Sequence, residues 1–199
     1  MKYIFFYSFW IAANAIGFVA GSRLGATNDG LAPTTFAGYP GLILGDLIFG
    51  ASIGLSQWLV IRLTRFMKIT PWWVLLTSVG FMLGARSGSL LTYRLEFLHE
   101  WLEPSFIFGI FMGGSIGLAT WFAFHRVIPW KRLPWWLFVS MLAWVFGESV
   151  AFDANFVQDT VPQVAVMISA ITGLELLRLR YHAPGQEKVV YNAITSPVE

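Results

Sequence analysis

The chain of 199 residues is 56% hydrophobic and 17% aromatic, with 12% charged residues and a mean hydropathy of +0.64. A water-soluble domain needs more charge than this to cover its surface, so the composition points to a protein of the membrane. The net charge of +2 comes with no basic cluster interleaved with aromatics, which argues against a nucleic-acid partner, and the absence of cysteine excludes disulfides, thiolate metal sites and cysteine nucleophiles.

Six mostly apolar stretches, near 3–22, 41–62, 71–92, 105–126, 134–153 and 161–179, each hold about 20 residues, enough to cross ~30 Å of hydrocarbon as a helix. Lipid offers the backbone no hydrogen-bond partner, so spans of this kind must be helical. The first stretch begins MKYIFFYSFWIAANAIG, with a lysine, an apolar core and Ala-Asn-Ala, which together resemble a cleavable signal peptide. Its kinship with later helices, given below, predicts that it is retained. It carries Asn14 and a run of glycines at a spacing of four (Gly17, Gly21, Gly25), with Arg23 at its far end. The stretch SRLGATNDGLAPTTFAGYPG that follows, 22–41, reads as a loop.

The second stretch sets Asp46, Gly50, Gly54 and Gln57 on one helical stripe, which predicts that the aspartate faces protein. Pro71 opens the third, where a missing N–H costs nothing, and Thr77, Gly80, Gly84, Arg86 and Gly88 follow along it. The segment YRLEFLHEWLEP, 93–104, has an apolar helical arc opposed by glutamates and is expected to lie in the interface or prolong the third helix. The fourth stretch contains GGSIGLATW, in which Gly109, Gly113 and Gly117 repeat the spacing of four. Its Ser115 suggests a nucleophile with His125 as base, but ten residues along one helix separate the two by ~15 Å, beyond hydrogen-bond reach. The fifth opens at Pro134 and carries Ser140 and Glu148; in the sixth, Glu175 is expected to pair with Arg178. Residues 183–199 read as a flexible tail.

Phe49–Gly84 and Met112–Gly147 align without a gap at an offset of 63, and Gly50, Ser52, Ile53, Gly54, Leu55, Trp58, Lys68, Pro71, Trp72, Trp73 and Gly84 recur identically in the second copy. Trp10, Gly17, Phe18, Gly21, Arg23 and Gly25 fall on Trp73, Gly80, Phe81, Gly84, Arg86 and Gly88 at the same offset. The sixth helix is a worn copy, in which Ser169 and Gly173 are set against Gly113 and Gly117, and Leu176 against Gln57. The fold expected is therefore an all-α integral membrane domain over 1–182, built as three tandem two-helix hairpins (about 3–66, 71–128 and 134–180). Hairpins that share one orientation imply pseudo-threefold symmetry along the membrane normal.

Lys2, Arg62, Arg65, Lys68, Arg126, Lys131, Arg132, Arg178, Arg180 and Lys188 would all lie on one side, and the positive-inside rule then puts both termini in the cytoplasm. The glycine stripes, with Gly50, Gly54, Gly113 and Gly117 at their centres, let neighbouring backbones approach closely. Asn14, Thr77 and Ser140 share one repeat position and either bond between helices or line a narrow path. Trp58, Trp72, Trp73, Trp121, Trp135 and Trp136 read as anchors in the interface, and could also flank a bound lipid or pigment. Asp46, Arg86 and Glu148, with Arg23 somewhat higher, form one charged layer, read either as mutual neutralisation or as a site for an ion or small polar ligand.

The Gly-xxx-Gly-xx-Gln-Trp run of Gly50, Gly54, Gln57 and Trp58, followed by basic residues and Pro-Trp-Trp, resembles a group of bacterial multi-pass membrane proteins of unknown function. Those motifs are structural and imply no activity. No catalytic constellation, metal-ligand cluster or cofactor motif stands out, so the chain is expected to be a non-catalytic accessory or docking subunit whose partners are the bilayer and other membrane subunits. The alternative is a small permease or channel.

Overall fold

The computed structural model describes residues 2–29, 39–99, 101–125, 130–153 and 161–181. They form six helices: α1 (Lys2–Asp29), α2 (Tyr39–Leu63), α3 (Trp72–Arg94), α4 (Pro104–Phe124), α5 (Leu133–Asp153) and α6 (Val161–Tyr181). Each contains a stretch long and apolar enough to cross a membrane, the make-up of a multi-pass integral membrane protein. The expected tail at 183–199 and the connection at 30–38 lie outside the described residues.

Most helix starts and stops follow from local chemistry. Pro71 precedes the first turn of α3 and Pro104 opens α4, both positions where no backbone N–H is needed. α1 continues to Asp29, through residues expected to be loop. Its extension is supported by close packing, since a Cβ on Gly25 would stand 2.9 Å from the Gly45 carbonyl oxygen on α2. The segment after α3 does not prolong that helix: α3 ends at Arg94 and a single 3₁₀ turn at Glu96–Leu98 follows.

Each helix packs along its neighbours in chain order, and α6 closes on α1, so the six make a ring with no helix packed along one across it. Glycines set these contacts. Gly17 of α1 faces Ile53 and Ser56 of α2, and Gly80 of α3 faces Ile116 and Ala119 of α4. Gly50 and Gly54 bring α2 onto Ser78 and Thr77 of α3, while Gly113 and Gly117 bring α4 onto Met141 and Ser140 of α5. At each of these positions a side chain would collide with a neighbouring helix.

The end of the ring where α2 ends and α3 begins is closed by their connection. After Leu63 the chain turns through Arg65, whose φ of 51° is left-handed. Phe66 N–H donates to the Ile61 carbonyl (3.0 Å) and Arg65 N–H to that of Arg62 (3.2 Å), the bond pattern of a Schellman helix end. This turn aims Phe66 back into the bundle, where its ring stacks on Phe6 at 3.6 Å between centroids. Phe66 and Met67 are buried there with Phe6, Ile61 and Leu179.

The tryptophans divide by helical angle rather than by depth. Trp72 and Trp135 are exposed, at 63% and 48%, whereas their chain neighbours Trp73 and Trp136 are buried, at 1% and 4%. Consecutive helical residues are separated by about 100°, so one ring of each Trp-Trp pair faces out and the other enters the core. Trp121 is buried as well. Interfacial anchoring therefore suits Trp72 and Trp135 and not Trp73, Trp121 or Trp136.

Candidate functional site

Inside the ring, all six helices contribute to a polar layer. Trp73 Nε1 of α3 donates to Gln57 Oε1 of α2 (3.0 Å), Trp136 Nε1 of α5 to Thr120 Oγ1 of α4 (3.3 Å), and Trp10 Nε1 of α1 to Thr172 Oγ1 of α6 (3.3 Å). Three indoles thus each donate to a polar side chain of the preceding helix around the ring. The acceptor on α6 is Thr172 and not Leu176. Gly173, set against Gly117 by sequence, instead lies beside Tyr7 and Trp10. The sequence pairing is thus displaced by one helical turn, because the side chain that reaches the indole decides the register.

Asn14, Thr77 and Ser140 are buried in this layer, at 1%, 1% and 2% exposure. Asn14 links helices: it accepts from Gln57 Nε2 (2.7 Å) and donates through Nδ2 to the Trp10 carbonyl (2.8 Å). Thr77 bonds instead to the Trp73 carbonyl of its own helix (2.8 Å), the back-bond open to a helical threonine. Ser140 is packed against Gly117. The void these residues enclose with Ile53, Ile116 and Ile168 measures about 30 Å³, room for one or two waters at most. Trp144 contacts both Phe18 (5.7 Å) and Phe81 (5.9 Å) on one side of it, while Phe6 and Phe66 occupy the other end of the bundle.

The expected charged layer separates into parts. Arg86 of α3 and Asp46 of α2 form an ion pair, with Nε donating to Oδ2 at 2.5 Å and Nη2 reaching the same oxygen. Glu148 of α5 is buried at 5% exposure, and its Oε2 has no hydrogen-bond partner among the described residues. Arg23 is exposed and joins neither. Asp46 and Arg86 are brought together; Glu148 and Arg23 are not part of their pair.

Towards the other end Glu175 pairs with Arg178 as expected, at 2.7 Å from Nε to Oε2 and 2.7 Å from Nη2 to Oε1. Sequence reasoning missed that Trp135 Nε1 joins this pair, donating to Glu175 Oε2 at 3.0 Å. It also missed a cavity of about 780 Å³ at this end, lined by Trp58, Arg62, Arg65, Lys68, Thr70 and Arg180 among others. The signal available was the basic residues themselves, read only for topology.

Ser115 and His125 do not meet: the His125 ring bonds to the Phe122 carbonyl at the helix end (2.7 Å), leaving the serine a packing residue beside Gly80. Among the described residues no group of three or more histidines and carboxylates is placed to hold a metal ion. No family model, no curated protein and no solved structure matches this chain. Its function has to be read from its own side chains.

Proposed function

We propose that this chain is a non-catalytic membrane protein that serves as a structural or docking subunit of a larger membrane assembly. The observation that carries the reading is the filled centre of the ring, where donors and acceptors bond to one another around a void of about 30 Å³ with aromatic rings on either side. Such a centre serves to hold six helices in one arrangement. The end of α3 and its connection to α4 add a surface for a partner, since Tyr93, Phe97 and Trp101 stand 73%, 72% and 83% exposed there.

The same reading takes the chain as three hairpins about a pseudo-threefold axis along the membrane normal, with both termini in the cytoplasm. Support for the symmetry comes from the three indole bonds and from glycine contacts that recur at the 63-residue offset, as when Gly21 meets Phe49 and Gly84 meets Met112. Support for the orientation comes from the basic residues gathered where α2 and α6 end.

Native mass spectrometry of the protein extracted from its own membrane in mild detergent tests this proposal. A stoichiometric complex with a different membrane subunit is expected; a lone monomer or homo-oligomer would overturn it. A permease is the second reading, favoured by the unpartnered carboxylate oxygen of buried Glu148. It requires ion flux in proteoliposomes that Asp46→Asn and Glu148→Gln abolish without loss of assembly, and unchanged flux would sink it.

A further inference from the structure

We propose that the cavity at the end of α2 binds a phosphate group, presented by an anionic lipid headgroup or free in solution. Residues distant in sequence converge on it. Arg62 comes from the last turn of α2, Arg65 and Lys68 from the connection to α3, and Arg180 from the last turn of α6. Among the described residues no carboxylate lines it. None of the four cations forms an ion pair among the described residues, whereas Arg86 and Arg178 each have a carboxylate partner.

The convergence is built into the fold. The Schellman turn at Arg65 buries Phe66 and Met67 in the bundle, so the connection carrying Arg65 and Lys68 is tied down at its middle. Arg62 lies over the Trp58 ring at 5.0 Å from its centroid, which orients the guanidinium at the wall. Trp58 lines the same cavity. Four like charges around one concavity reinforce each other's field, which draws in an anion and is relieved when one binds.

Size and position fit this chemistry. About 780 Å³ lies within the range of small-molecule sites and exceeds what one phosphate needs, leaving room for a headgroup. Exposed Leu59, Leu63 and Trp72 lie on the adjoining helix ends, where acyl chains would run beside them. Basic pockets between helix ends at a membrane surface are suited to anionic headgroups.

The test titrates the full chain in detergent with short-chain phosphatidylglycerol, short-chain phosphatidylcholine and inorganic pyrophosphate, counting bound ligand by native mass spectrometry. Phosphatidylglycerol is expected to bind at least tenfold more tightly than phosphatidylcholine. Neutralising Arg62→Gln or Lys68→Gln should each weaken it about fivefold, and both together about 25-fold. Lys131→Gln, exposed and outside the cavity, should leave binding unchanged. Both target side chains are exposed, and if the double variant fails to fold the single variants decide. Pyrophosphate binding with the same dependence on Arg62 and Lys68 would identify a soluble phosphate as the source; binding of phosphatidylglycerol alone would identify lipid. Binding of neither above the phosphatidylcholine level, or binding indifferent to both substitutions, would overturn the proposal.

Discussion

Neighbouring glycines of α4 play opposite parts. A Cβ on Gly113 would stand 2.5 Å from the Met141 Cα and 2.7 Å from its nitrogen, backbone atoms of α5 that cannot move alone. At Gly114 the nearest atom is Met141 Cε, 3.1 Å away at the end of a flexible side chain. Gly113→Ala should therefore cost about 1–3 kcal/mol in equilibrium unfolding from mixed micelles. Gly114→Ala should be neutral or gain up to about 1 kcal/mol from helix propensity. Equal effects would mean that α4 and α5 are not in close contact there. Gln57 permits a second comparison, because it holds Trp73 and Asn14 at once. Gln57→Leu strands a buried donor and a buried acceptor and should cost about 1–3 kcal/mol. Asn14→Leu should cost less in that background than alone, since the two share one network; strict additivity would show that the bonds do not couple. The glycine spacing and the polarity of Asn14 were legible in the sequence. That Gln57 lies between Trp73 and Asn14 was not, because it depends on three helices meeting.

Among the elements, the connection from α2 to α3 is the one that changes character once folded. As sequence it is a basic run between two spans; in the fold it is a plug, with Phe66 stacked on Phe6 and buried at 6% exposure. Phe66→Ala should cost about 3 kcal/mol, as large-to-small changes in a core do. The loss should fall well below that if the connection merely lies on the surface, and the same unfolding assay distinguishes the two. The number of helices and their approximate positions follow from hydrocarbon length and could be read directly. Their ends were less legible. α1 runs on to Asp29 because Gly25 packs against Gly45, a contact between two helices that no local pattern encodes.

At the scale of the whole molecule, a filled ring and a passage predict opposite reactivities. The natural chain has no cysteine, so single cysteines can be introduced without background. Ser140→Cys, at the central layer, should stay unmodified by a membrane-impermeant thiol reagent applied from either side. Lys68→Cys and Trp101→Cys, both exposed, should react from opposite sides, Lys68→Cys from the cytoplasm. Rapid labelling of Ser140→Cys would demonstrate water at the centre and favour the permease. Labelling of Lys68→Cys from outside would reverse the orientation.

The solvent, the number of spans, the stripes of small residues and the basic end could all be read before folding, since each depends on composition or on spacing within one helix. It also contained the pair Glu175–Arg178, three residues apart on one helix. Packing of the helices was needed to separate core tryptophans from exposed ones, to join Asp46 to Arg86 without Glu148, to set Thr172 and not Leu176 against Trp10, and to gather four cations at one cavity. All of these depend on the rotation and depth of one helix against another. Those are set by side chains meeting across the ring, which no periodicity within a single helix records.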